Sequence, residues 1–210
     1  MRQRILTFQP YTQWETGIRS PASACGPAAA AALLRFWEER LAAAGGARLR
    51  KHRLPDEPAA AINRMYAACG ATPLGAGALV LGLALRRQLN ARLREAGLPG
   101  QAKTRRLSGF DAYRAEIDAG RLVAVKFDKW FSLRWRSRPL FDYHWTVGCG
   151  YRIADDGTPH LIVHDAGARL QDGTYAPSRE RTAAYESHRH VLTMLALRVE
   201  SGASARSRLD

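Results

Sequence analysis

Residues 25–46 read CGPAAAAALLRFWEERLAAAGG. Alanine and leucine favour helix. Pro27 falls in the first turn, where its missing N–H costs nothing, and Gly45 and Gly46 stop the run. Leu33, Leu34, Trp37 and Leu41 recur at helical spacing and mark a buried face. The pattern therefore predicts an apolar central helix with Cys25 at its N-terminal end. A thiol is a useful nucleophile only as thiolate, and the unsatisfied N–H groups and dipole of a helix start lower its pKa. Ser23, Ala24, Gly26 and Pro27 are small, which predicts an accessible sulfur, and Gly26 is expected to let a substrate backbone approach closely. The plainer reading of any lone cysteine is a small buried hydrophobe. Cys69, at a helix end, and Cys149, inside a strand, are read that way.

Outward from this helix the chain changes period. Further helices are expected at about 57–69, 78–96 and in FDAYRAEIDAG, with a short strand at 103–107. RLVAVKFD, LFDYHWTVGCGYRI, TPHLIVHDAG and HVLTMLALRV are β-rich runs separated by turn clusters such as ADDGTP. Helices first and strands afterwards predict an α+β fold, a helical layer packed on a mostly antiparallel sheet. The segment before Cys25 reads as irregular. KWFSLRWRSRP, at 129–139, is too basic and too aromatic for core and reads as a long exposed loop. Residues 1–200 are expected to form a single catalytic domain and 201–210 a disordered tail.

The whole chain has 210 residues, 46% hydrophobic and 24% charged, enough for one well-cored domain and too apolar for wholesale disorder. No run of about 18 uncharged apolar residues exists, so no membrane-spanning helix is expected. The opening MRQRILTFQPYTQ lacks the apolar core of a secretory signal, and three scattered cysteines suit neither a disulfide framework nor a paired-cysteine zinc site. The expected setting is reduced and cytoplasmic. The formal charge of +13 is carried mostly by arginine and is spread along the chain rather than gathered in a stripe. Charge alone is therefore a weak pointer to nucleic acid.

Four residues line up as a chemical set: Gln13, Cys25, His144 and Asp165. A histidine on a strand can take the thiol proton and return it to a leaving group. An acid on the adjacent strand can fix the far imidazole nitrogen. A glutamine amide, beside the Cys25 N–H, can donate to a forming oxyanion. Each has a structural alternative. His144 sits among Tyr143, Trp145 and Val147 and reads equally as a core histidine, and His160, His164, His188 and His190 compete with it. Asp165 opens an Asp-Ala-Gly turn. His160, His164 and Asp165 lack a convincing metal-ligand spacing, and neither metal nor cofactor is expected. Trp130, Trp135 and nearby arginines are expected to overhang the cleft and favour acidic substrates; a solvated basic loop is the alternative.

YTQWETGIRSPASACGPAAAAALLRFW, GATPLGAG, DYHWTVGCGYRI and LIVHDAG resemble the papain-like cysteine peptidases that process bacteriocin double-glycine leaders, and more closely their stand-alone bacterial relatives. The resemblance covers about residues 11–167. It implies a papain-like fold and a Cys25–His144–Asp165 triad with Gln13 in the oxyanion hole. Gly26, Trp130 and Trp145 are expected, from their own positions, to bind substrate. In the family the glutamine usually sits about six positions before the cysteine; here that position is Arg19, and ETGIRSPASA separates Gln13 from Cys25. The implied activity is hydrolysis of a peptide or related amide bond through a thioester. The same acyl-enzyme can be captured by an amine, which would make an acyltransferase, and a catalytically silent peptide-binding module is a third reading.

Overall fold

The computed structural model describes residues 1–200. A strand β1 (Arg2–Ile5) leads, through one turn of 3-10 helix at Pro21–Ser23, into α1 (Cys25–Ala43). Then come α2 (Pro58–Ala68), α3 (Ala78–Ala96), β2 (Gln101–Leu107) and α4 (Phe110–Asp118). The second half runs β3 (Val123–Asp128), β4 (Tyr143–Ile153), β5 (Pro159–His164), a small hairpin of β6 (Ala168–Arg169) and β7 (Tyr175–Ala176), then β8 (Glu180–Ala184), α5 (Tyr185–His188) and β9 (Leu192–Glu200). The main sheet has the order β2-β9-β3-β4-β5-β8, with β1 attached to β4, and its pairings are antiparallel. The fold is α+β.

The faces of the sheet differ because the strands alternate. Val123, Val125 and Phe127 of β3 meet Tyr113 and Ile117 of α4 on one face. On the other face Ala124 joins Trp145, Val147 and Cys149 of β4 against α1, α2 and α3. The run Ala28–Ala32 is buried on every side, which only small side chains permit in a helix wedged between α2, α3 and β4. Leu33, Leu34, Trp37 and Leu41 are buried as their spacing requires. Truncating one such leucine to alanine costs about 2–5 kcal/mol. Glu57 caps α2, its carboxylate accepting from the Ala59 and Ala60 N–H groups, and Pro58 occupies the position where no N–H is needed.

The glycines of VGCGY serve packing. A Cβ on Gly148 would lie 2.7 Å from the Tyr113 ring, and one on Gly150 would lie 2.5 Å from the Arg4 carbonyl oxygen. The Tyr113 hydroxyl donates to the Gly150 carbonyl at 2.7 Å, and the β4–β5 register shifts between Gly148 and Gly150. Beyond the first residue of β3, Val123 opposite Gly148, β1 takes over the same edge of β4, with Ile5 opposite Gly150 and Arg2 opposite Ile153.

The opening residues, expected to be irregular, thus include a strand, and β8 and the β6–β7 hairpin were not expected. β1 and β8 are edge strands of polar sequence, RQRI and ERTAA, with no apolar alternation to betray them. The segment at 129–139 is an exposed loop, with Phe131, Leu133 and Trp135 at 65–74% exposure. The tail expected at 201–210 lies outside the described residues. Among the described residues no helix is long and apolar enough to cross a membrane.

Candidate active site

Cys25 is the first residue of α1, and no side chain caps the helix. The free N–H groups of the first turn are left to the sulfur: the Cys25 and Gly26 amides and the Trp145 amide of β4 all pull its pKa down, as does the charge of Lys126. Burial outweighs them, and the thiol pKa is raised. The sulfur is covered rather than open: Cys25 is 4% exposed. Trp145 and Ala76 pack beside the first turn of α1. The Trp145 indole N–H donates to the Ala76 carbonyl at 2.9 Å. A Cβ on Gly26 would lie 3.0 Å from the Ala76 Cβ and 3.1 Å from the Trp145 ring.

The expectation of an accessible sulfur is corrected: Cys25 is buried. The helix start does not by itself make a thiolate here, because desolvation is the larger effect. A side chain at Gly26 would meet the Trp145 ring. Trp145 is fully buried and belongs to the core.

His144 precedes Trp145 in β4 and leaves the strand on the opposite face. It stands across from Phe127 in the ladder, while Trp145 stands across from Lys126. The imidazole packs on Phe141 with ring centroids 4.7 Å apart, and its Nε2 accepts a long hydrogen bond, 3.3 Å, from the Ala166 N–H. Burial pushes its pKa down to about 4, with the negative charge of Asp165 only partly opposing. The ring is therefore neutral at neutral pH. Sulfur and imidazole flank the same peptide unit, 144–145. Among the described residues no hydrogen bond joins them.

Asp165 follows β5 and is 4% exposed. Its Oδ1 accepts from the Gly167 and Arg179 N–H groups, each at 3.0 Å, and its Oδ2 from Arg181 Nε at 2.9 Å. Burial works against its charge, but Arg181 and the two amides prevail and the carboxyl pKa is lowered. All its hydrogen bonds go to this clamp, so Asp165 acts on His144 through charge rather than by a direct hydrogen bond.

Gln13 is buried and lies in the same cluster. Its backbone N–H donates to the Ala166 carbonyl at 2.9 Å, so Ala166 bonds Gln13 on one side and His144 on the other. Its side-chain Nε2 donates to the Pro21 carbonyl at 2.7 Å, just ahead of Cys25, and Oε1 is buried without a partner. One Nε2 hydrogen remains for an incoming oxygen. The segment between Gln13 and Cys25 packs on α2, with Asn63 bonding Gly17 and Arg19, and Gln13 meets the 3-10 turn that leads into α1 despite its distance in sequence.

Lys126 and Tyr143 were not anticipated. Lys126 is 7% exposed and pairs with Asp128 at 2.6 Å; its ammonium lies 4.3 Å from the Tyr143 ring centroid and 6.0 Å from that of Trp145. The signal was in the sequence: one lysine inside VAVKFD, a strand buried throughout. From the aromatic loop it is Phe131 that reaches this cluster, 6.1 Å from the Tyr143 ring and 5.5 Å from Lys126 Nζ. Trp130 lies under Lys129 instead, at 4.6 Å, half-exposed. His164 bonds Ser178 at 2.7 Å, and Cys69 and Cys149 are buried with pKa values pushed up to about 12. Among the described residues no three His, Cys, Asp or Glu side chains are grouped to hold a metal ion.

No family model matches the chain, and no curated protein matches it.

Proposed function

We propose that the protein is a papain-like cysteine hydrolase that cleaves a peptide or related amide bond. Cys25 is the nucleophile, His144 its general base and then acid, and Gln13 with the Cys25 N–H the oxyanion donors. Asp165 biases the imidazole electrostatically. The observation that carries the reading is the convergence of distant segments on the start of α1. The sulfur lies at the Trp145 amide, next in chain to His144, and Ala166 ties Gln13 and His144 together. The ligand-free pair is a neutral thiol and a neutral imidazole. On this reading substrate binding opens the buried site, and the imidazole turns about its side-chain bonds toward the sulfur, giving up its weak bond to Ala166 N–H, to take the thiol proton. Sulfur then adds to the acyl carbon, the amine leaves with the proton, and water cleaves the thioester.

The burial of the sulfur and its raised pKa specifically favour a second reading, the silent peptide-binding module. Hydrolysis of a mixed peptide and amide library separates the two. The enzyme reading predicts turnover that Cys25→Ser abolishes and that His144→Ala lowers by about 10²–10⁴-fold. Absence of turnover in wild-type protein, or turnover untouched by Cys25→Ser, contradicts it.

A further inference from the structure

The α1 face of the sheet carries a surface depression on the β9 side of Lys126. Lys126 stands across from Trp145 on one side and from Thr193 of β9 on the other. Thr193 lines two adjoining cavities. One, of about 200 Å³, is bounded by Asp128, Phe131, Ser132 and Arg106. The other, of about 430 Å³, lies between α3 and the β2–β9 ladder and is bounded by Leu79, Leu83, Arg86, Arg106 and Leu195. Thr193 and Arg106 line both, so the two are neighbours along the β2–β9 side of the sheet.

The depression has a definite chemistry. Leu79 is 76% exposed at its lip, and at Gly82 α3 packs on β2, where a Cβ would meet Thr104 Oγ1 at 3.4 Å. Arg86 and Arg106 line it, and among the described residues neither has a carboxylate partner, whereas Lys126 at the inner end is balanced by Asp128. The groove therefore presents uncompensated positive charge beside the exposed Leu79 and the half-buried Leu83. An acidic segment with interspersed apolar residues complements both features.

We infer that this groove binds the flank of an acidic, apolar peptide substrate, its carboxylates facing Arg106 and Arg86 and its apolar side chains on Leu79 and Leu83. The assignment of that peptide as substrate rests on the cysteine-hydrolase reading; the binding itself does not. The aromatic loop then contributes through Phe131 at the inner end rather than through Trp130.

The test uses Cys25→Ser full-length protein, in which nothing is turned over, and two peptides carrying fluorescein on the N-terminal amine, fluorescein-Leu-Glu-Leu-Glu amide and fluorescein-Leu-Gln-Leu-Gln amide. Polarisation titrations should show the acidic peptide binding about tenfold tighter at low salt, as two exposed charge pairs allow. Arg86→Gln/Arg106→Gln should erase that preference, while Lys51→Gln, a remote loss of one charge, should keep it. Equal binding of the two peptides, or a preference that survives the double arginine variant, overturns the inference. In wild-type protein the acidic peptide should slow iodoacetamide labelling of Cys25; binding without protection overturns the link between groove and sulfur. A hydrolysis assay that fails while the binding preference holds sinks the enzymatic reading and leaves the groove assignment standing.

Discussion

Arg181 holds Asp165: the guanidinium Nε of one donates to the carboxylate Oδ2 of the other at 2.9 Å, across the β5–β8 edge of the sheet. An acid occupied in this way stabilises the turn after β5 more than it steers a hydrogen bond to imidazole. Asp165→Asn should cost about 2 kcal/mol, in the range of charged hydrogen bonds. At about 2–4 °C per kcal/mol for a chain of this size, Tm should fall by about 4–8 °C. The accompanying loss of turnover should stay well below the about 10⁴-fold that follows when a directly bonded acid is removed from a triad. Calorimetry and steady-state kinetics on the same variant measure both.

The pH dependence of labelling distinguishes a neutral resting pair from an ion pair. With the Cys25 pKa raised and the His144 pKa near 4, thiolate appears only as pH climbs through and beyond the ordinary thiol range. Iodoacetamide labelling of Cys25 should rise steadily into alkaline pH with no plateau between about pH 5 and 8. A thiolate–imidazolium pair would give that plateau. His144→Ala should leave the shape of this profile unchanged while abolishing most turnover.

Stability should fall on the acid side for a related reason. The folded-state pKa of His144 is lowered to about 4, below the about 6.5 of an unfolded histidine. Its contribution is then fully present above about pH 6.5 and is lost as pH drops toward 4, where the folded chain must protonate a buried ring. Asp165, also lowered, adds a loss at still lower pH. Melting temperatures between pH 7 and 4 should decline, and the decline should be shallower in His144→Ala.

Gly150 tests the architecture independently of the chemistry. An alanine there meets the Arg4 carbonyl oxygen at 2.5 Å, a backbone atom that moves only if β1 moves. Gly150→Ala should destabilise by about 1–3 kcal/mol and raise amide exchange selectively in β1. Tyr113→Phe, which leaves the Gly150 carbonyl without its hydroxyl donor, should cost about 1–2 kcal/mol without that selectivity.

Much of this fold was legible because strong local signals agreed with it. The alanine-rich helix, the bounds of α3 at 78–96 and the four β-rich runs all announced themselves by periodicity, and the structure places them as read. β1 and β8 were not legible, because RQRI and ERTAA pair at sheet edges through backbone alone and carry no alternation. Within the site, Ala166 ties Gln13 to His144 and the Cys25 sulfur meets the Trp145 amide, but the electrostatics depend on depth. Sequence marks a helix start and its favourable dipole; it does not reveal that the sulfur is buried, or that Arg181 arrives from β8 to occupy Asp165. Lys126 was visible as a charge in an apolar strand, yet its place beside Trp145 emerges only from the β3–β4 register.

The most direct test of the central claim is the intact mass of wild-type protein quenched during turnover of its best ester or amide substrate, followed by peptide mapping. The account predicts a thioester adduct on Cys25, absent from Cys69 and Cys149, that accumulates and then decays as substrate is consumed. Hydrolysis that proceeds with no adduct on Cys25, and at the same rate in Cys25→Ser, would contradict it.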